Sequence, residues 1–419
     1  MSIVAFIVFG LAAVAAIPIA HALVLGALAG AAYSDRIPLN MVVEQMVSQV
    51  QSFPLIAIPF FILTGAVMMG GNLGKTLVGF MTTILGRFHG GPAQVGVLSS
   101  AVFGGVSGSA VADASALGSM LIPWQKSLGY PGSFAAATLA AAATIDILIP
   151  PSIPLIIFAL VSNASIGALF TAGILPGLML TVGFTGVCYF VGRAKGYPRD
   201  KRPFSFAIFL REMGLASPAL ALPVLIIIFL RFGIATPTEV SVVSSLYALI
   251  VSAVVYRDLT WKRMRAALLE AGIASGVVLL VIMASSAVGW IVTYEQLPNA
   301  FADYAKNTLQ EPWLIIMAMN IIMLFAGMFI DLPAAVLLLT PIFVPLAKMA
   351  GMDVVQLGVM MVVNLAIGLY TPPVGTTLFI TSSIAKVKIG ETVRAMIPFY
   401  GVAFAVLGLM AYVPALTIR

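Results

Sequence analysis

The chain of 419 residues is 61% apolar and only 9% charged, with a mean hydropathy of +1.11, which excludes a water-soluble globule and marks a polytopic membrane protein. Its net charge of +6 sits mostly in loops flanking apolar runs, where Lys and Arg set orientation, so no nucleic-acid partner is expected. The single cysteine, Cys188, lies inside an apolar run and offers neither a disulfide framework nor a thiolate metal cluster.

Apolar runs of about 20 residues place full spans near 3 to 32, 54 to 70, 133 to 160, 165 to 192, 214 to 231, 237 to 256, 271 to 293, 353 to 382 and 391 to 416. The first lacks a basic leader and is too long for a signal peptide, so it is expected to stay as a span. Stretches 92 to 123 and 312 to 345 are split near their middles, leaving arms mostly too short to cross, and read as re-entrant helical hairpins. Segments 37 to 52, 73 to 87 and 297 to 308 mix charged with apolar positions and read as interfacial amphipathic arms. The expected fold is therefore all-α, with inverted repeats at 54 to 192 and 271 to 419, an N-terminal scaffold part at 1 to 53, and linking loops with two scaffold spans at 193 to 270.

Arg193, Lys195, Arg199, Lys201, Arg202 and Arg211 crowd one loop, and Arg257, Lys262, Arg263 and Arg265 another, so both are expected in the cytoplasm. Counting spans outward from them puts the N-terminus in the cytoplasm and the C-terminus outside. The two repeats then run in opposite directions.

Both repeats carry the same punctuation. The first reads Gly104-Gly105-Val106-Ser107-Gly108-Ser109, then Asp113, Pro123, Gly129, Pro150-Pro151 and Pro176; the second reads Gly327, Asp331, Pro341, Gly351, Pro372-Pro373 and Pro398. Gly129, Pro150, Pro151 and Pro176 each have a counterpart 222 positions on, and a four-residue insertion after Pro341 reconciles the pairs Asp113/Asp331 and Pro123/Pro341 with that offset. Broken apolar segments at matching places in two halves are the best sequence pointer to a secondary transporter's binding site.

Proline has no N–H, so Pro150 and Pro151 leave the carbonyls of Asp146 and Ile147 without helical partners, and Pro372 and Pro373 do the same for Gly368 and Leu369. Unpaired carbonyls at membrane depth survive where protein, water or an ion satisfies them, and sodium suits them. The second arm of each hairpin starts at its tip, so its N–H groups and positive dipole end suit a carboxylate. Ser107 and Ser109 read as caps of that arm and hydroxyl donors. Asp113 and Asp331, ionisable at membrane depth, read as orienting the tips or adding to a cation field, and Asp146 fits either role. No transition-metal site and no cofactor beyond sodium as coupling ion is expected.

Three other motifs point elsewhere. Gly105-Val106-Ser107-Gly108 matches the surroundings of an intramembrane serine protease nucleophile, but both histidines, His21 and His89, precede the serine. Gly70 to Thr76 resembles a phosphate-binding loop one residue short of GxxxxGK[ST]. Thr236-Pro237-Thr238-Glu239 fits a helix capping box.

Over nearly its whole length the sequence resembles the large membrane subunit of the tripartite ATP-independent periplasmic (TRAP) transporters. The resemblance is carried by Gly104 to Ser115, Ile149 to Pro154, Tyr370-Thr371-Pro372-Pro373-Val374-Gly375 and residues 236 to 239. It implies a sodium-driven importer of an organic acid (dicarboxylate, sialic acid or similar carboxylate) in a bacterial inner membrane, with an elevator mechanism. It also implies a small four-span membrane subunit and a periplasmic substrate-binding protein as partners. The arm at 37 to 52, with Glu44, is an expected docking place for the small subunit. Carried over, the resemblance supports Gly104, Gly105, Ser107, Asp146 and Pro151 at one sodium site and Gly327, Gly368, Tyr370 and Pro373 at the other. Ser107, Ser109, Asp113, Asp331 and Thr376 are the positions expected near substrate. The competing readings are a stand-alone inverted-repeat anion carrier, proton-coupled, and the protease.

Overall fold

A chain in lipid must satisfy its own backbone hydrogen bonds, and this one does so as helix, with no strand among the described residues. The computed structural model describes residues 1–34, 38–71, 73–199, 205–308 and 311–417; Asn72, Lys201 and Arg202 of the motifs above lie outside them. The helices run α1 (Ser2–Val14), α2 (Ile19–Ala32), α3 (Leu39–Val50), α4 (Ala57–Met69), α5 (Leu73–Leu85), α6 (Gly91–Ser107), α7 (Ala110–Ser127), α8 (Gly132–Ala142), α9 (Ile153–Ser162) and α10 (Ile166–Ala194). They continue with α11 (Phe206–Arg231), α12 (Pro237–Ile250), α13 (Trp261–Tyr294), α14 (Leu297–Thr308), α15 (Pro312–Phe329), α16 (Leu332–Met349), α17 (Val354–Leu369), α18 (Thr376–Ala385) and α19 (Ile389–Tyr412).

The second arms and the helices that follow them share a register of 222 positions: α7 begins at Ala110 and α16 at Leu332, α8 at Gly132 and α17 at Val354. The expected four-residue insertion is therefore absent. Pro123 corresponds to Pro345, both inside their second arms, and Asp331 corresponds to Ser109, both N-caps. Asp113 lies a turn further into α7, so the equal spacing to the following proline was a coincidence of side chains.

Hairpin α6/α7 and hairpin α15/α16 each pack a second arm on the opposite repeat, α7 against α18 and α16 against α9. Their bases lie at opposite ends of α19. At one end Lys126 Nζ donates to the carbonyl of Ala385 (2.8 Å) and Tyr130 Oη to that of Pro198 in the basic loop (2.9 Å); at the other Tyr412 Oη reaches the carbonyl of Trp313 (3.3 Å). The repeats are thus inverted. Length does not by itself make the second hairpin re-entrant, because α15 and α16 are among the seven helices of the described residues that are long and apolar enough to cross a membrane, contrary to the expectation of short arms.

The expected first span, 3 to 32, is two helices. Pro18 has no N–H and caps α2, Ala16 takes a φ of 60°, and α1 folds back along α2. A Cβ on Gly26 would meet the Ala5 carbonyl oxygen at 2.6 Å, and one on Gly30 the Met1 carbonyl at 3.0 Å, the spacing of an antiparallel pair packed through glycine. The loss of one crossing changes the parity count. The Met1 ammonium pairs with Glu295 Oε1 (2.6 Å) and the Ser2 N–H with Oε2 (2.7 Å), just beyond the C-terminal end of α13. Burial opposes the charge on Glu295, yet these donors prevail and hold its carboxyl down at about 2. The basic stretch Arg257 to Arg265 begins the same helix, 34 residues long. Met1 therefore sits at the opposite end of α13 from a basic loop whose face it was expected to share. The C-terminal end of α19 lies where the second hairpin has its base.

α13 is a long wall, packed on α2, α3, α4 and α16, and its inner end is fixed by Arg263, which pairs with Asp258 Oδ1 (2.6 Å), donates to the Asp258 carbonyl and reaches the Val67 carbonyl (3.2 Å). At 236 to 239 the capping box forms: Thr236 N–H donates to Glu239 Oε2 (2.7 Å) and Glu239 N–H to Thr236 Oγ1 (3.4 Å), with Pro237 as first helical residue.

Candidate functional site

Each repeat breaks one helix where its paired prolines stand. After α8 the chain makes a short 3-10 turn, Ala143–Ile145, and runs irregularly to α9; α17 stops at Leu369 and α18 restarts at Thr376. The Pro150-Pro151 and Pro372-Pro373 peptide bonds are both cis. The carbonyls expected to be free are partly taken. Ser152 Oγ donates to the Ile147 carbonyl, and Thr377 Oγ1 donates to its symmetry counterpart, Leu369 (2.9 Å). The Gly368 carbonyl accepts the Thr371 N–H (3.0 Å), and that of Tyr370 accepts Tyr400 Oη (2.8 Å). A hydroxyl residue shortly after each proline pair, Ser152 directly after the first and Thr377 four positions after the second, was the sequence signal for these caps.

At the first break the group facing the hairpin tip is a carboxylate. Asp146 is fully buried; its Oδ1 accepts the Gly108 N–H (3.1 Å) and its Oδ2 the Ser109 N–H (2.9 Å). These two donors, expected to serve an external acid, are therefore committed within the protein. Gly104 is the residue that lets Asp146 come close, since a Cβ there would lie 2.8 Å from Asp146 Cα and 3.2 Å from Oδ1. Gly108, at a φ of 64° that favours glycine, passes under the Pro151 carbonyl, which a Cβ would meet at 2.5 Å. Gly105 packs on Pro223 of α11, and Gly65 of α4 abuts Ser107. Ser109 is the N-cap, accepting the Ala112 N–H at 3.5 Å; Ser107 is the last residue of α6 and caps nothing on the second arm.

The second break substitutes close backbone packing for that carboxylate. Gly368, the counterpart of Asp146, lies on Gly327 of α15, whose carbonyl carbon and oxygen a Cβ would meet at 2.5 Å. The Val374 N–H donates to the Met328 carbonyl at the end of the same arm (3.3 Å). Below them, Asn364 Nδ2 donates to the Asn320 carbonyl (2.9 Å) and to its Oδ1 (2.8 Å), an α15 to α17 tie that the sequence reading missed.

Between the two tips and the two breaks lies a cavity of 820 Å³. Ser109, Asp331 and Thr376 line it, with Ile147, Leu369 and Pro373 from the breaks, and Ala274, Val277 and Val278 of α13 close one side. Asp331 stands at the N-cap of α16, beside the Leu332 N–H. The hydroxyl of Thr376 is buried without a hydrogen-bond partner. Of the residues expected near substrate, Ser107 and Asp113 do not line the cavity. Asp113 is fully buried behind it, with the Ser100 hydroxyl as the hydrogen-bonding group beside its carboxylate. The α13 wall was invisible to the motif search, because plain aliphatic residues in a long span carry no punctuation.

The residues available to a small cation are oxygen donors: the Asp146 carboxylate beside Gly104 and the Pro151 carbonyl at the first tip, with backbone at the second. Hard cations such as sodium take oxygen ligands of this kind. Among the described residues no cluster of three or more His, Cys, Asp or Glu could hold a transition metal. The protease arrangement is not formed, since His89 precedes the 17-residue α6 that ends at Ser107, about 25 Å of helix away, and stacks edge-on against Tyr189 at 5.8 Å.

Comparison with known proteins places this architecture. The family model described as "Tripartite ATP-independent periplasmic transporter, DctM component" matches residues 1–416. A protein of Sinorhizobium fredii, y4mL, is 52% identical over 100% of both chains. The sialic acid TRAP transporter large permease protein SiaM of Vibrio cholerae is 37% identical, covering 96% of this chain and 94% of its own. Among solved structures, the YdaH transporter of Alcanivorax borkumensis matches with a TM-score of 0.63 over 89% of this chain and 88% of that one; at 14% identity it speaks for the fold alone.

Proposed function

The chain belongs to the DctM-component family of tripartite ATP-independent periplasmic transporters, and on that premise we propose that it imports a small organic acid by sodium symport, with an elevator movement of its hairpin-bearing core. The family consists of transporter permeases and not of enzymes, large multi-pass subunits that work with a small membrane subunit and a periplasmic binding protein.

One observation carries the reading: two hairpin tips from bases at opposite ends of the molecule meet two broken helices around a single cavity. Tips that enter from opposite faces and meet in the middle are re-entrant, and such an arrangement can be closed from either side. In this reading sodium binds first at the Asp146 side, where it neutralises the carboxylate that holds Gly108 and Ser109. The second ion sits where Gly327 lies on Gly368. The acid then enters between Ser109, Asp331 and Thr376. The core of hairpins, α8, α9, α17 and α18 moves against a scaffold that includes α4, α11, α12 and α13. A tenfold sodium gradient supplies about 1.4 kcal/mol per ion, and a potential of about 100 mV adds about 2.3 kcal/mol per net charge moved. The exposed arm α3, bearing Glu44 and packed on α13, is the docking place assigned to the small subunit.

The test is uptake into vesicles containing this chain and its small subunit, with binding protein and acid supplied outside. Omitting sodium, the small subunit or the binding protein should each abolish accumulation. Uptake that persists without sodium but follows a proton gradient would sink the sodium assignment and favour the proton-coupled alternative.

A further inference from the structure

We propose that the acid this chain carries is a monocarboxylate with a mainly hydrocarbon body, aryl or branched-chain, in preference to a dicarboxylate or a polyhydroxylated acid. The inference rests on the reading of the cavity as the substrate site. It follows from what the cavity offers a guest. Its polar side chains are Ser109, Asp331 and Thr376, of which the two hydroxyl residues are enough to orient one carboxylate end, and the rest of the wall is built by residues such as Val111, Val277, Val374, Phe379 and Ile380.

Hydroxyls on a sugar acid would need partners along that wall. The backbone groups that might have served are occupied: the Gly108 and Ser109 N–H groups by Asp146, and the Ile147 and Leu369 carbonyls by Ser152 and Thr377. A polar group buried without a partner costs its desolvation in full, whereas an apolar one gains from the same wall. Charge argues against a diacid. No Lys, Arg or His is among the described residues lining the cavity, and the one charged side chain there, Asp331, is acidic. A first carboxylate can be balanced by co-transported cations at the tips, but a second would lie among aliphatic side chains beside Asp331 with no basic group to meet it.

The test reads occupancy directly and does not depend on the binding protein's own selectivity. Cys188 is the chain's only cysteine, so Val111→Cys in a Cys188→Ala background gives a single reactive thiol on the cavity wall, and Phe379→Cys gives an independent second. Each variant is purified with the small subunit, and maleimide labelling is timed in sodium with phenylacetate, isovalerate, succinate or N-acetylneuraminate. Phenylacetate and isovalerate should slow labelling about fivefold once their concentration is about four times the dissociation constant, while succinate and N-acetylneuraminate leave the rate unchanged. Protection by succinate or N-acetylneuraminate equal to or greater than that by the apolar acids would overturn the assignment of class and leave the transport reading standing. Protection by none of the acids at either position would remove the cavity as the acid site, and both readings with it.

Discussion

Asp146 Oδ2 accepts the backbone N–H of Ser109 at 2.9 Å, so a buried carboxylate from the broken helix holds the tip of the first hairpin. Oδ1 takes the Gly108 N–H at 3.1 Å, and one side chain thereby satisfies two donors at the start of α7. Asparagine keeps one acceptor oxygen but loses the charge and the second. Hydrogen bonds to charged groups are worth about 1.5–3 kcal/mol, so Asp146→Asn should raise the sodium concentration for half-maximal uptake about 10- to 100-fold. Uptake measured against sodium concentration checks this; an unchanged sodium dependence would separate Asp146 from the ion.

The glycine contact at the second break makes a steric prediction. In Gly368→Ala the new methyl would meet Gly327 backbone at 2.5 Å, a clash that no rotamer can relieve. Overpacking of this kind costs about 1–3 kcal/mol, and here it parts the tip from the break. Transport should fall at least about tenfold, while Gly401→Ala on α19, where a methyl meets nothing within 4 Å, should transport as the parent does. Uptake by the two variants, normalised to folded protein in the membrane, decides it.

Asp113 poses the opposite case. A fully buried carboxylate met by no basic group and only by the Ser100 hydroxyl weighs against the folded state, so its place in α7 is a candidate for function at the expense of stability. Asp113→Asn should therefore melt at the same temperature or higher, by the equivalent of about 1–3 kcal/mol, yet lose sodium-dependent uptake. Thermal unfolding of the purified complex and uptake by the same preparation measure both halves; a variant that is less stable and transports normally would make Asp113 structural.

Much of this architecture could be read from the sequence because proline and glycine act locally. The pairs at 150 to 151 and 372 to 373 must break a helix wherever it packs, and the register of 222 survives in them. Ser109, Asp331 and Thr376, three of the positions expected near substrate, do line one cavity. What failed was whatever depends on partners far along the chain. The fold-back of α1 on α2 hangs on glycines 26 and 30 accepting a second helix, and a run of small apolar residues looks the same as a single span. The carbonyls released by proline looked free for a local reason instead, since the hydroxyls that cap them, Ser152 and Thr377, stand only five and eight residues on. Asp113 and Asp331 looked equivalent because spacing was counted to the nearest proline, whereas helix starts show Asp331 in the place of Ser109.

The orientation of the N-terminus is open to direct test. Gln296 adjoins Glu295, which holds Met1, and Gly196 lies in the basic loop with Pro198. In a Cys188→Ala background, an impermeant maleimide added to intact cells should label Gln296→Cys and should label Gly196→Cys only after the membrane is opened. The reverse pattern would restore a cytoplasmic N-terminus and invert both hairpins.

Thr376 offers the most selective probe of the cavity. Its hydroxyl is buried without a partner at the first residue of α18, and the residue lines the 820 Å³ space shared by Ser109 and Asp331. Valine has nearly the same shape, and removing a hydroxyl that makes no bond in the protein leaves no other group unsatisfied, so Thr376→Val should not lower the melting temperature. If the hydroxyl serves the bound acid, the variant loses one hydrogen bond to a carboxylate, about 1.5–3 kcal/mol. The expected result is a rise of about 10- to 100-fold in the acid concentration for half-maximal uptake, with maximal rate and sodium dependence little changed. Thr377→Val supplies the contrast, because that hydroxyl already bonds the Leu369 carbonyl at 2.9 Å. It should cost stability by about 1 kcal/mol and disturb sodium dependence before acid affinity, since it frees a break carbonyl instead of emptying a substrate contact. Identical profiles for the two variants would show that the hydroxyl at 376 acts on the helix break and not on the acid.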